Sequence, residues 1–149
     1  MNIKLICVGR LKERFYTDAA NEYIKRLSAY CKLEIVEIAE SRVSTGDSEY
    51  SAITQKIPDS SYTIALCIEG RPLDSRELSE LISSCALNGK SRLCFVIGGS
   101  DGLGDKTKDA ADMRLSLSKM TFPHNLARVI LLEQLYRAFN ITDGGKYHK

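Results

Sequence analysis

The chain has 149 residues, of which 44% are hydrophobic and 27% are charged, and its formal net charge is +2. This length fits one domain, residues 1–149, which can bury roughly 68–70% of its unfolded surface. No run approaches the ~20 apolar residues of a membrane span, and the apolar stretch 5–8 is too short for the core of a signal peptide. We therefore expect a cytoplasmic protein with no membrane association.

The five cysteines are odd in number, and no two of them have Cys-x-x-Cys spacing. They mostly fall on predicted apolar faces, which favours buried free thiols over disulfides or zinc ligands. No metal site is predicted.

Positive charge collects near the end of the chain. Residues 113–149 contain six Lys or Arg against one Glu and one Asp. This distribution suits a polyanionic partner such as RNA, although a solvated surface would give the same pattern.

Strand and helix patterns alternate along the chain. Strands are predicted at 3–8, 32–39, 62–68, 93–97 and 113–117. Helices are predicted at about 11–30, at 106–111 and at 124–141. A short helix is also predicted after the polar stretch 40–49, ending at about 57, and another from the capping box of Asp74 and Glu77 to Asn88. The polar stretch 40–49 is predicted to be a mobile loop and 69–72 a turn. The alternation predicts an α/β fold with a mainly parallel sheet and helices on both faces.

The helix predicted at 124–141 is apolar on more than one face. A helix of this kind must be covered on several sides. In so small a chain the second cover can come from another subunit, so we predict a homodimer through this helix.

A buried strand opens into a glycine-rich loop between residues 92 and 104. The stretch 99–107 nearly matches a phosphate loop, but Asp105 stands where the lysine belongs and displaces Lys106 by one position. A tight turn without a ligand is a second interpretation. The third is a loop that holds a nucleoside or similar cofactor through its backbone.

Two later stretches carry candidate chemistry. Residues 117–124 form a constrained segment, since Pro123 separates a strand from a long helix; a plain strand-to-helix connection is the alternative. After the break at 144–145, Tyr147, His148 and Lys149 could stack on a base and bind a phosphate, unless they form a frayed terminus.

Together these stretches resemble the ribosomal RNA large subunit methyltransferase H family, of the SPOUT class. The matching segments are 3–9, 95–103, 117–124, 133–139 and 147–149. The resemblance implies a single SPOUT domain with a C-terminal trefoil knot, working as a homodimer. It also implies transfer of a methyl group from S-adenosylmethionine to N3 of a pseudouridine in 23S ribosomal RNA, on the assembled ribosome.

The resemblance also implies a cofactor site. Its residues correspond here to Leu66, Gly98, Leu117, Ser118, Lys119, Met120, Thr121 and Phe122. Cys67 departs from the family, in which an acidic residue is common at this place.

The C-terminal tail is the candidate for proton handling. We hypothesise that His148 or Tyr147 positions or deprotonates the pseudouridine, and that Arg128, Arg137 and Lys149 bind RNA phosphate, with the opposite subunit as a possible source. A non-catalytic ribosome-binding protein and a phosphate-loop nucleotide-binding protein are the rival hypotheses.

Overall fold

The structure, a computed structural model, describes residues 1–149. The strands are β1 (Asn2–Val8), β2 (Lys32–Ile38), β3 (Tyr62–Pro72), β4 (Arg92–Ile97) and β5 (Met113–Ser116). The helices are α1 (Arg14–Leu27), α2 (Gly46–Thr54), α3 (Ser75–Leu87), α4 (Asp105–Ala110) and α5 (His124–Thr142), with a short 3₁₀ helix at Glu40–Val43.

The five strands form one sheet in the order β2-β1-β4-β3-β5. All neighbouring pairs are parallel, and β1 is bonded on both sides, with Leu5 opposite Ile35 of β2 and Phe95 of β4. Interior parallel strands are covered on both faces, which explains the continuous apolar runs in β1 and β4. The predicted α/β class with a parallel sheet is confirmed.

Side-chain alternation divides the core between the two faces of the sheet. Ile3, Leu5 and Cys7 of β1 pack in one cluster with α1, α3 and α5, while Ile6 and Val8 pack in a second cluster with α2 and the segment around α4. Successive residues of a strand point to opposite faces. Helices therefore cover both faces, as predicted.

One side of α5 is covered by its own chain. Leu131, Leu132 and Leu135 are fully buried against the sheet, while Tyr136 and Phe139 are only partly buried. The homodimer through residues 124–141 stays a prediction, as does the trefoil knot. No helix has both the length and the apolar character needed to cross a membrane.

The prediction of a mobile loop at 40–49 is wrong. This stretch contains the 3₁₀ helix and the beginning of α2. Thr45 Oγ1 accepts from the backbone N–H of Ser48, and Ser48 Oγ accepts from the backbone N–H of Thr45, each at 3.0 Å. The polar residues that resembled a loop are thus a helix cap, because Ser and Thr favour both settings.

The predicted turn at 69–72 is also wrong, because β3 continues to Pro72. A bulge follows Leu66, after which Arg71 and Pro72 pair with Leu115 and Ser116 of β5. The pairing of β3 with β4 ends earlier, at Ala65. Proline is tolerated there because no strand lies on its other side.

Helix α1 also begins later than expected, at Arg14 instead of residue 11.

Candidate active site

A cavity of about 760 Å³ opens at the carboxyl edge of the sheet. The part of β3 at its bulge and the segments that follow β4 and β5 enclose it, together with the first turn of α5. It is lined by residues 66–69, 97–103, 117–118 and 120–124, and by Lys108, Leu115 and Ala127. This is the edge at which parallel α/β sheets bind their ligands.

The glycine loop after β4 folds tightly back on itself. The backbone N–H of Gly102 donates to the carbonyl of Gly99 at 3.0 Å, and Gly102 has φ +73°. A Cβ on Gly98 would lie 2.5 Å from the carbonyl carbon of Gly102 and 2.7 Å from the nitrogen of Leu103. Only glycine fits at position 98, so backbone instead of side chain forms this wall of the cavity.

Glu49 of α2 fixes the far end of this loop. Its Oε1 accepts hydrogen bonds from the backbone N–H of Gly104 and the hydroxyl of Thr107, both at 2.8 Å. Glu49 is only 7% exposed, so both donors depend on it. Sequence reasoning missed this residue because nothing in the pattern of 40–49 indicates a partner 55 positions away.

The segment after β5 forms the opposite wall. Ser116 Oγ donates to the carbonyl of Ser118 at 3.0 Å, and Ser118 Oγ accepts from the backbone N–H of Met120 at 2.9 Å. These bonds hold a compact loop. Of the predicted cofactor residues, the structure brings seven to the cavity lining, namely Leu66, Gly98, Leu117, Ser118, Met120, Thr121 and Phe122. Lys119 is exposed and is not part of the lining.

Charged and titratable groups occupy one side of the cavity. The ammonium of Lys108 is bound to Glu69, and it holds the pKa of that carboxyl below its usual range. Burial raises the pKa of the neighbouring Cys67 thiol. Asp101 and His124 complete the titratable lining.

Lys106 does not serve the loop as a phosphate-loop lysine would. Its Nζ lies 3.2 Å from Asp47 and 4.7 Å from the centre of the Tyr50 ring, and it is not part of the cavity lining. The near match to a phosphate loop therefore lacks its cation, which weakens that interpretation.

A family profile described as "Predicted SPOUT methyltransferase" matches residues 1–148. The chain belongs to the SPOUT methyltransferase family. It is 46% identical to a protein named ribosomal RNA large subunit methyltransferase H from Clostridioides difficile, over 159 aligned positions that cover 100% of both chains. A protein of the same name from Clostridium botulinum strain Kyoto is 48% identical, again with 100% of both chains covered. The resemblance predicted from the motifs is confirmed.

Two solved structures share the SPOUT fold at low sequence identity. A probable methylase family protein from Haemophilus influenzae has a TM-score of 0.61 at 15% identity, covering 99% of this chain and 70% of that one. A probable methyltransferase from Bordetella pertussis has a TM-score of 0.63 at 14% identity, covering 92% of this chain and 95% of that one. At these identities the likeness extends to the fold alone.

The tail of this SPOUT chain lies against α5, away from its own cavity. Tyr147 Oη donates to Glu133 Oε1 at 2.9 Å, and His148 Nδ1 lies 3.1 Å from Nη1 of Arg137. No residue of 142–149 lines the cavity. Burial, together with the bond to Glu133, raises the pKa of the Tyr147 phenol. The catalytic roles of Tyr147 and His148 stay predictions.

Arg128, predicted to bind RNA phosphate, faces inward in the structure. This side chain is 4% exposed; Nη1 lies 2.7 Å from Glu37 Oε2, and Nη2 donates to the carbonyl of Gly9 at 3.1 Å. The pair with Glu37, whose side chain is partly exposed, has a structural role, because removing Glu37 would leave the buried guanidinium charge unpaired. Arg137 is partly covered by Glu133 and His148, and Lys149 is exposed.

Proposed function

We propose that the chain binds S-adenosylmethionine in the cavity and transfers its methyl group to N3 of a pseudouridine in 23S ribosomal RNA. We propose the assembled ribosome in the cytoplasm as the setting. The observation that carries the proposal is the meeting of Leu66, the Gly98 loop and the 117–122 segment in one cavity. The curated relatives, which bear a ribosomal RNA methyltransferase name, support the substrate class.

The cavity fits a cofactor of this size and kind. Its volume of about 760 Å³ falls within the roughly 300–1,000 Å³ of ligand pockets. Leu66, Leu117 and Phe122 offer apolar surface for a flat base, while the backbone around Gly98 offers donors and acceptors for its polar edge. Glycine at position 98 lets the loop backbone close on itself and present its own polar groups to the cavity.

S-adenosylmethionine supplies an electrophilic methyl group on a sulfonium, so the chain's task is binding and alignment. Holding two reacting groups in line can supply much of the rate enhancement. The Asp101 carboxylate and the loop carbonyls give the lining negative character suited to a cationic cofactor, while the Glu69 carboxylate is already paired with Lys108.

The imide proton of the target base must also leave, and we assign this step to the tail. The Tyr147 hydroxyl donates its one hydrogen to Glu133, so it is the candidate acceptor of a hydrogen bond that would position the base. His148 is the candidate proton acceptor, since imidazole titrates nearest to neutral pH. Arg137 and Lys149 are the candidate phosphate contacts of the same tail region.

The tail is bound to α5 outside the cavity of its own chain, and in a homodimer through α5 it would reach the cavity of the second copy. Glu133, the partner of Tyr147, lies six residues beyond Ala127, the last α5 residue of the cavity lining. At 1.5 Å per residue this separates Glu133 from the lining by about 9 Å along the helix. The half-buried side of α5 offers the surface through which two copies would meet.

Calorimetry with S-adenosylmethionine and with ATP tests the proposal directly. We expect saturable binding of the first and none of the second, followed by transfer of a labelled methyl group to isolated large ribosomal subunits. Binding to the subunits without affinity for S-adenosylmethionine would instead identify a non-catalytic ribosome-binding protein. Magnesium-dependent binding of ATP would identify a nucleotide-binding protein.

A further inference from the structure

A basic segment leaves the sheet directly beside the cavity. β1 ends at Val8, and its neighbour β4 continues into the glycine loop that lines the cavity. The next residue, Gly9, has φ +85°, and a Cβ there would lie 3.5 Å from Nε2 of His124, which is itself a cavity residue. Residues 10–15, here called the basic segment, therefore start at the cavity's edge.

Exposed cations alternate along the basic segment, and two of the three have no partner within the chain. Arg10, Lys12 and Arg14 are all exposed. Arg10 and Lys12 form no ion pair or side-chain hydrogen bond, and Arg14 only approaches Asp18 at 3.7 Å. Nothing within the chain accounts for this concentration of positive charge.

An exposed aromatic ring follows the cations. Phe15 is 66% exposed, and its ring centre lies 4.5 Å from that of Tyr16. An apolar ring left in water beside several free cations is the combination that binds nucleic acid, in which the cations meet phosphates and the ring stacks on an unpaired base.

Hydrogen bonds to β2 hold the start of the basic segment in place. The N–H of Gly9 donates to the carbonyl of Ile38 at 2.7 Å, and that of Leu11 donates to Glu37 Oε2 at 3.2 Å. The same Glu37 pairs with buried Arg128, which also binds the carbonyl of Gly9. The pair of Glu37 and Arg128 thus fixes the position of the backbone that carries the exposed cations.

We propose that the basic segment is an RNA docking surface, with Arg10, Lys12 and Arg14 on backbone phosphates and Phe15 stacked on an unpaired base. The proposal rests on the proposed function, because the docked RNA is the one that presents its target base to the adjacent cavity. Three exposed cations match the charge of RNA, whereas a second copy of this chain would bring the same positive segment and repel it.

The test is equilibrium binding to isolated large ribosomal subunits over a series of salt concentrations. Each lost phosphate contact lowers the slope of log affinity against log salt by about 0.7–0.9. The double variant Arg10→Ala with Lys12→Ala should therefore lose about 1.4–1.8 of the slope. The matched control is Lys56→Ala with Lys90→Ala, two exposed lysines near the opposite edge of the sheet; it should keep the wild-type slope.

The stacking contact has its own variant. Phe15→Ala should weaken binding to the subunits roughly 5- to 150-fold, while Phe15→Tyr should bind like the wild type, since stacking needs only the ring. Affinity for S-adenosylmethionine should stay unchanged in all of these variants, which also verifies that they fold.

The outcomes separate the two proposals. If the wild-type protein fails to bind large subunits, the proposed function is at fault. If it binds while the double variant keeps the full salt slope, the docking surface is wrong. A change of sedimentation coefficient in Phe15→Ala would show that this face contacts a second copy, and would likewise overturn RNA docking.

Discussion

Glu49 is a single carboxylate that connects α2 with the glycine loop of the cavity. Glu49→Ala would leave the half-buried N–H of Gly104 and the buried hydroxyl of Thr107 without an acceptor. An unsatisfied buried group costs about 1–3 kcal/mol and a half-buried one costs less, so we expect the free energy of unfolding to fall by about 2–4 kcal/mol. Affinity for S-adenosylmethionine should fall as well, because the loop loses its anchor.

The variant Glu49→Gln removes the negative charge and keeps an oxygen that can accept the hydrogen bonds. Its amide oxygen can still accept both bonds, so urea unfolding and calorimetry should show a smaller loss than with alanine. Glu80→Ala, which removes an exposed carboxylate on α3, is the control and should behave like the wild type. Equal losses in the alanine and glutamine variants would mean that the hydrogen bonds are not what holds the loop.

The reactivity of the Cys67 thiol can show whether the cofactor binds in the cavity. The thiolate is the reactive form, and burial raises the pKa of Cys67 and also that of Cys31, the latter to about 11. Both should react slowly with iodoacetamide, but only Cys67 lines the cavity. Saturating S-adenosylmethionine should slow the labelling of Cys67 and leave Cys31 unchanged, as measured by mass spectrometry of the digested protein. Equal labelling with and without the cofactor would place its binding elsewhere.

Site residues could be predicted from the sequence where they lie in contiguous motifs. Gly98 and the segment 117–122 are of this kind, and all but Lys119 of that segment line the cavity. Arg128 shows the opposite case. Its charge in a basic region indicated RNA, but its partner Glu37 lies 91 positions away. No local pattern distinguishes an arginine that folds inward from one that faces solvent.

At the scale of elements, the tight turn of the glycine loop between residues 98 and 102 depends on close contacts of the backbone with itself. Gly98→Ala would place a methyl group 2.5 Å from the carbonyl carbon of Gly102, so the loop must move into or away from the cavity. Overpacking of this kind typically costs about 1–3 kcal/mol, and we expect calorimetry to show an affinity for S-adenosylmethionine that is roughly tenfold lower or worse.

Gly46→Ala is the matched control for that variant. Gly46 is the first residue of α2, and a Cβ there would meet nothing within 4 Å. Alanine is the better helix former, so the variant should be as stable as the wild type or more so by up to about 1 kcal/mol, with unchanged cofactor affinity. If both alanine variants bound equally well, the tight loop would not be a requirement of the site.

The elements themselves were predictable to the extent that periodicity determines them. Strands β1 and β4 are buried on both faces, so their sequences are continuous apolar runs. Such runs can be recognised in the sequence without any knowledge of the fold. The extension of β3 past its bulge was not predictable. Gly70, Arg71 and Pro72 are turn residues by composition, and only the presence of β5 beside them makes them part of a strand.

At the scale of the whole molecule, the tail is bound along α5 and does not line the cavity of its own chain. Tyr147 and His148 are bound to Glu133 and Arg137 on α5, whereas the cavity surrounds the start of that helix. If both take part in methyl transfer, each site must combine the cavity of one copy with the tail of the other. A twofold dimer contains two such sites.

Mixing two inactive variants tests this arrangement. A chain lacking residues 147–149 keeps its cavity, and a Gly98→Ala chain keeps its tail. After random exchange about half of the dimers contain one of each, and each of these has one complete site out of two. The mixture should therefore recover about a quarter of the wild-type methylation of large ribosomal subunits, measured at a cofactor concentration at which Gly98→Ala alone is inactive. Two differently tagged copies of the truncated chain, mixed in the same way, should recover nothing. If native mass spectrometry shows mixed dimers but activity does not return, the tail does not complete its partner's cavity.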